Sequence, residues 1–368
     1  MEVYIAPPEG SAEVAALTRR QVLAAFAQAG LTVAATEEKA GNGPVRGAVL
    51  GSDRALARRL QMKTLDSVSV VVLLASLSSG DVGAQERLPV IDMHMHAHHV
   101  PLDVPAGAPP PCLPRPCQPE GAATATAEES LRKTLQAMDR YNIVLGFLSG
   151  ADLDIVRKWV AAAPKRFIAS PFIEAPGDLS PEMLRQEYKA GRLAGMGEIG
   201  SQLLGVAPND PALAPYFALA EEFDVPVLIH TEGIGPPVPG FRTGAGSPLL
   251  LEDVLVRHRS LRVFVENSGY PFLDDMIAMM YQYPQLYGDL STITWVIPRP
   301  AFHRYLEALV RAGLGKRLMF GSDQMRWPEK IGEAVEAIEE ADYLTEDQKR
   351  DILYDNAARF LRLEGGPR

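Results

Sequence analysis

Short apolar runs alternate with amphipathic stretches from residue 89 almost to the end of the chain. Residues 89–96, 143–148, 167–173, 193–199, 225–230, 261–266, 286–290 and 317–321 are runs of strand length. The segments 127–139, 152–163, 180–190, 210–223, 250–258, 272–283 and 299–312 between them carry helical polarity. Ser180-Pro181-Glu182 reads as a helix start, with serine suited to the cap and proline to the first turn. Two further helices, 327–340 and 345–360, follow, and residues 356–361 are expected to pack against the outside. Eight strand–helix units predict an α/β chain closed as a (β/α)8 TIM barrel, with a proline-rich loop after the first strand and extra C-terminal helices. An open dinucleotide-binding sheet is the alternative, and it lacks a convincing Gly-x-Gly-x-x-Gly turn.

The polar residues that end these runs change the picture. In a strand with a two-residue period, His94 and His96 of Val90-Ile91-Asp92-Met93-His94-Met95-His96 point the same way. Glu198, His230 and Asp323 likewise end apolar runs and precede glycine-rich or irregular stretches. A buried histidine on its own is usually a hydrogen-bonded core residue. Four matching strand ends favour a shared metal site instead, because the C-terminal ends of barrel strands converge on one rim.

The front of the chain has a different character. Residues 62–84 give a short basic start, an apolar stretch and a small-residue exit at Val82-Gly83-Ala84, which leaves Gln85 as a mature first residue. The apolar stretch is short for a permanent span, so a signal peptide and export to the periplasm or the extracellular space are expected. A cytoplasmic enzyme is the alternative. Residues 1–61 are then an upstream extension from a misplaced start at Met1, or else a small module with a helix at 12–29. Residues 85–368 carry the barrel. Cys112 and Cys117 are the two cysteines, close enough for a small loop disulfide in an exported protein. The prolines around them predict a stiff surface loop that can roof a site.

Asp and Glu number 46 against 36 Lys and Arg, a formal charge of −10. No basic stripe offsets this, so nucleic acid is not an expected partner and a small-molecule substrate is.

The ordered pieces Ile91–His96, Gly197-Glu198-Ile199-Gly200, Val227-Leu228-Ile229-His230, Ser268-Gly269-Tyr270-Pro271, Gly288-Asp289-Leu290-Ser291, Gly321-Ser322-Asp323 and Asn356-Ala357-Ala358-Arg359-Phe360 resemble the amidohydrolase superfamily. The likeness is to its amidohydrolase-related branch of metal-dependent hydrolases and decarboxylases. The resemblance implies His94 and His96 as first-strand ligands, His230 as the fifth-strand ligand and Asp323 as the eighth-strand carboxylate beside the attacking water. It implies Glu198 as a fourth-strand carboxylate that bridges two metals in some branches. The sixth strand departs from the pattern, since Asn267 stands where a histidine is expected. One ion held by His94, His96, His230 and Asp323 is one arrangement. The other has two ions, with His94, His96, Glu198 and Asp323 around the first and Glu198, His230 and Asn267 around the second. Glu266 has the wrong parity if Asn267 points inward, although a bulge would exchange the two.

The chemistry expected from such a site is hydrolysis of a small ester, lactone or amide, with zinc or a similar divalent ion and with Asp323 moving the proton. A decarboxylase of an aromatic or unsaturated acid and a noncatalytic metal-binding or interaction protein are the alternatives. Loop 231–246 is a candidate gate, with Phe241 and Arg242 as candidate substrate contacts beside Tyr270, Arg299 and Arg326. His98, His99 and His303 are further loop or surface candidates.

Overall fold

Eight short parallel strands are arranged as a barrel in the computed structural model, which describes residues 87–98, 105–236 and 238–363. Residues 1–61, the expected signal peptide 62–84, its expected cleavage point and His99 lie outside the described residues. The strands are β1 (Val90–His96), β2 (Ile143–Gly150), β3 (Phe167–Pro171), β4 (Met196–Ile199), β5 (Val227–Ile229), β6 (Val263–Val265), β7 (Leu286–Asp289) and β8 (Leu318–Met319). They pair in the order β1-β2-β3 and β4-β5-β6-β7-β8. A parallel bridge between Ile173 and Ile199 joins the two sets. On the other side Met93 N donates to Phe320 O (2.8 Å) and Asp323 N to His94 O (2.8 Å), which closes the ring between β8 and β1. β2 runs two residues past its expected end, whereas the other seven strands are shorter than expected because the outermost residues of those apolar runs turn into loops.

Helices α1 (Ala127–Arg140), α2 (Leu153–Ala162), α3 (Pro181–Lys189), α4 (Ala214–Glu222), α5 (Glu252–Arg257), α6 (Leu273–Gln282) and α7 (Arg299–Arg311) alternate with the strands, and α8 (Lys330–Glu339) follows β8. Side-chain caps set several starts: Thr126 accepts from Glu129 N, Asp152 from Asp154 N and Ser180 from Met183 N. None of the described helices is long and apolar enough to cross a membrane.

Inward strand residues Ile91, Met93, Phe147, Leu228, Phe264 and Met319 form one buried cluster, and Ala357, Ala358 and Phe360 complete it. These last belong to α10 (Asn356–Leu361), which follows α9 (Glu346–Arg350) through a wide turn at Asp351–Asp355. The final helix therefore packs against the barrel interior and not on the outside as its sequence suggests. Phe264 meets both Phe147 and Phe360 edge-on, at 5.3 and 5.5 Å between ring centres. Phe320 N donates to Ile352 O within the turn, so the same turn finishes β8.

The proline-rich loop holds the Cys112–Cys117 disulfide. Leu113 N donates to Val296 O (2.6 Å), Thr124 N to Arg326 O (2.9 Å) and Trp327 Nε1 to Ala108 O (2.9 Å). The loop thus lies across the segments that follow β7 and β8, where a roof over part of the rim is expected.

Candidate metal centre

β1 advances by three positions, from Asp92 to Met95, while β2 advances by two, from Gly146 to Leu148. This bulge passes the inward direction from Ile91 and Met93 to His94 and His96. β4 has a similar irregularity between Met196 and Ile199, whereas the two-residue period runs unbroken through the pairings of β2 with β3, β5 with β6 and β6 with β7. Inward Phe147 is followed by Ser149, Leu228 by His230, Phe264 by Glu266 and Tyr287 by Asp289. Apolar floor and polar rim are successive positions on the same strand face.

His94 Nδ1 donates to Asp289 Oδ2 (3.0 Å) and His96 Nδ1 to Ser149 Oγ (3.0 Å). With a ring proton on each Nδ1, both Nε2 atoms carry bare lone pairs. Those atoms face each other at 3.2 Å, and Glu198 Oε2 lies 3.0 Å from His94 Nε2 and 3.2 Å from His96 Nε2. Asp323 Oδ1 is 2.8 Å from His96 Nε2 and 3.8 Å from His94 Nε2. With both rings neutral, four acceptor atoms converge without a proton between them. Ligand atoms about 2.0–2.2 Å from one ion sit roughly 3 Å apart, so His94, His96, Glu198 and Asp323 fit a divalent cation.

Glu198 reaches a second group with its other oxygen: Oε1 is 2.8 Å from His230 Nδ1, and Glu266 Oε2 is 2.5 Å from the same nitrogen. Gly197, at φ +93°, allows this approach, since a Cβ there would stand 2.2 Å from Leu228 O. Asp323 also holds a positive φ of 44°, a conformation fixed from both sides. Its N–H is held by His94 O, while the side chain of the next residue, Gln324, accepts from His96 N and donates to His96 O.

The charge balance points the same way. Asp92, Glu198, Glu232, Glu266, Asp289 and Asp323 are all buried around His94, His96 and His230. Burial works against ionised His94, but Asp323, Asp289 and Glu198 override it and hold its pKa well above the usual imidazole range. His96, with the same opposition and Asp323 as the largest favourable influence, is pushed up to about 9. For His230, burial is outweighed by Glu266 and Glu198, again upward. Burial opposes ionised Glu198 and Asp323, yet the imidazoles hold both carboxyls below their ordinary values. Burial and then Glu266 push Glu232 well up, and burial lifts Glu266 to about 7. Positive charge is short in this pocket, and a bound cation would supply it.

Asn267 is engaged in hydrogen bonds through both amide atoms. Its Nδ2 donates to Glu232 Oε2, to Glu266 Oε1 (3.3 Å) and to Thr292 Oγ1 (2.8 Å), and its Oδ1 accepts from Ile293 N (2.9 Å) and Ser291 Oγ (3.3 Å). After β6 the backbone turns, with Asn267 and Ser268 at φ 52° and 47°. Strand parity therefore delivers Glu266, and Asn267 braces the turn.

The proposed substrate residues divide. Phe241 is half-buried with its ring edge-on to His230, 6.4 Å between centres. Arg242 beside it is spent on the carbonyls of Pro239, Gly240 and Phe241. Arg299 bonds Thr294 O and Glu333 O and pairs with Glu340, which ties α7 to α8. His303 likewise reaches Ala337 O (3.1 Å). Tyr270 packs on Tyr305 at 5.0 Å. Arg326 is buried, donates to Thr124 O, and lies close enough to His98 to act on its charge. His98 stacks on His96 at 4.8 Å, and burial, then His96, push it down to about 3. Glu232 and Ser149 are not among the residues the sequence singles out; Ser149 is found by counting two residues on from Phe147 of β2, and Glu232 by counting two on from His230. The loop that carries Phe241 is stapled by Gln202, whose Nε2 donates to Glu232 O (2.5 Å) and Arg242 O (3.2 Å) and whose Oε1 accepts from Glu232 N (3.3 Å).

A family model described as Amidohydrolase matches residues 91–363, from β1 through α10. The chain belongs to the amidohydrolase family. A search of curated proteins gives no match. Among solved structures, the amidohydrolase is similar to an uncharacterized TIM-barrel protein from Bordetella bronchiseptica, at 22% identity and a TM-score of 0.53, covering 64% of this chain and 83% of that one. A structure named amidohydrolase II matches at 20% identity and 0.53, over 74% of this chain and 99% of its own. A probable 2-pyrone-4,6-dicarboxylic acid hydrolase from Acinetobacter baumannii, solved with citric acid bound, matches at 14% and 0.51, over 75% and 100%. These likenesses show the barrel. Family membership and the convergent ligand groups together make this amidohydrolase a metal-using enzyme.

Orientation of the ligands is itself testable. Asp289→Asn removes the charge that holds His94 Nδ1–H, and cation affinity is expected to fall about 10–100-fold. Competition with a chromophoric chelator reads this directly; an unchanged affinity would show that Asp289 does not support the ligand.

Proposed function

We propose that this amidohydrolase hydrolyses a small-molecule ester, lactone or amide. The observation that carries the reading is Asp323 Oδ1, a buried carboxylate oxygen without a hydrogen-bond donor that faces the same point as His94 and His96. A divalent cation, when bound, would supply Lewis acidity there, able to polarise a carbonyl and acidify water. His94, His96 and Glu198 would hold it, and their mix of imidazole and carboxylate suits zinc. Asp323 takes the proton of the attacking water and returns it to the leaving group. His94 and His96 stay fixed by Asp289 and Ser149, and Phe241 covers one side of the pocket. Decarboxylation needs a group that delivers a proton to carbon, and Asn267, in the position expected for a sixth-strand imidazole, is an amide that does not ionise near neutral pH. The Cys112–Cys117 disulfide supports an oxidising compartment as the setting.

Zinc-loaded protein is expected to turn over at least one member of an ester, lactone and amide panel. Carbon dioxide release from aromatic or unsaturated acids without any hydrolysis would instead establish a decarboxylase. Full cation occupancy with no turnover of either kind would leave a binding protein.

Cation uptake should also expel protons. His94 and His96 have raised pKa values, His96 to about 9, so below that pH a proton occupies the ring that must bind neutral. Affinity therefore rises with pH, by roughly tenfold per unit for each proton displaced, and the share due to His96 levels off above about 9. Calorimetric titration at pH 7 in buffers of different ionisation enthalpy counts those protons; a count of zero is incompatible with this site.

A further inference from the structure

We infer that the substrate of this site is an uncharged ester, lactone or amide with an apolar chain, and that the chain lies along a lip formed by Phe172, Leu203, Leu204, Val238 and Phe241. The inference rests on the hydrolytic reading above and adds the chemical class of the substrate.

Two aromatic rings flank the imidazoles at the rim. Phe172, the residue after β3, stands edge-on to His96 at 6.0 Å between ring centres, and Phe241 stands edge-on to His230 at 6.4 Å. Both rings are half-buried. Two glycines let the segments between them close into one surface. A Cβ on Gly200 would lie 2.8 Å from Phe172 Cζ and 3.5 Å from Leu203 Cδ1. One on Gly240 would lie 2.5 Å from Leu203 O and 2.8 Å from Leu204 Cα. Phe241 N donates to Val238 O (3.2 Å), so Val238 stands on the turn that carries the ring. Leu204 and Val238 are 49% and 41% exposed. Single exposed apolar side chains are ordinary, but these two continue a wall that begins at His96 and His230.

The charge on the same segments disfavours an anionic chain. Residues 172–180, 200–213 and 231–250 carry Glu174, Asp178, Asp210 and Glu232 against one basic residue, Arg242. Its Nη1 is folded back on the carbonyls of Pro239, Gly240 and Phe241. A carboxylate laid along the lip would give up water without a second cation on these segments to receive it. An apolar chain instead gains roughly fourfold in affinity for each methylene it buries.

The test uses the zinc-loaded full chain and the acyl groups of acetic, octanoic and suberic acid, the last with one end left as a free carboxylate. Each is offered as methyl ester and primary amide, beside γ-lactones with matching side chains. The octanoyl compound is expected to exceed the acetyl one in kcat/KM on the order of tenfold or more, and the suberyl compound to lose that gain. Phe172→Ala and Phe241→Ala should lower the octanoyl-to-acetyl ratio, chiefly through KM. Val238→Lys changes an exposed side chain, so folding is spared, and it should raise suberyl turnover relative to octanoyl. Calorimetry with methyl heptyl ketone and its ω-carboxylate analogue reads the lip without turnover, and the neutral ketone is expected to bind more tightly. Hydrolysis that ignores chain length, or that favours the carboxylate-ended compound in wild type, overturns the inference and leaves the hydrolytic reading standing. Ketone binding without turnover of any compound refutes hydrolysis and keeps the lip. An octanoyl-to-acetyl ratio unchanged in both alanine variants would show that the two rings do not hold the chain.

Discussion

Asp323→Asn is expected to lower kcat by about 10²–10⁴-fold, the range attributable to a positioned general base, with zinc content close to wild type. The carboxamide keeps an oxygen where Asp323 Oδ1 lies, 2.8 Å from His96 Nε2, so the site can still be filled. What is lost is the capacity to accept a proton. The carboxyl is held below its ordinary value by His94 and His96 against the opposing pull of burial, and so it is already ionised at mildly acidic pH. Parallel measurement of kcat and metal per chain separates the two roles. If turnover and metal vanish together, Asp323 acts chiefly as a ligand. Full activity in Asp323→Asn would remove it from the mechanism.

The second large effect belongs to His94→Ala. This ring is fully buried and connects Asp289 on one edge to Glu198 on the other, with Asp323 nearby. Its removal takes away a ligand and leaves three buried carboxylates short of a partner. Breaking a buried charge pair from one side typically costs about 3–5 kcal/mol, and loss of high-affinity zinc removes the further stabilisation that a bound ligand gives a native state. Wild type should therefore melt at a higher temperature when zinc is added, whereas His94→Ala should melt lower and respond little to zinc. A variant that keeps a wild-type thermal response to zinc would place the cation elsewhere.

Much of this was legible because barrel strands repeat a simple rule. His94, His96, Glu198, His230 and Asp323 stand at the ends of apolar runs, and the strand rim gathers them. Glu266 shows where the rule was set aside. Counting two on from Phe264 reaches it, but motif alignment drew attention to Asn267, and nothing in a one-dimensional pattern reveals that the backbone turns to positive φ immediately after β6. The last helix was misplaced for a similar reason. Ala357, Ala358 and Phe360 are apolar on one side, as any surface helix is, and only the closed ring of strands provides an end for them to plug. Arg242 and Arg299 show the opposite limit, since a guanidinium near a rim reads as an anion binder until the carbonyls that occupy it are seen.

The staple made by Gln202 bears on how this enzyme could acquire new specificity. Because one amide side chain joins the segment after β4 to the segment after β5, exchanging residues 231–246 alone would strand Gln202 against a foreign backbone. Gly246 tightens the constraint, for a Cβ there would sit 2.0 Å from Glu232 O. The two segments form one structural unit, and libraries aimed at new substrates should diversify them jointly.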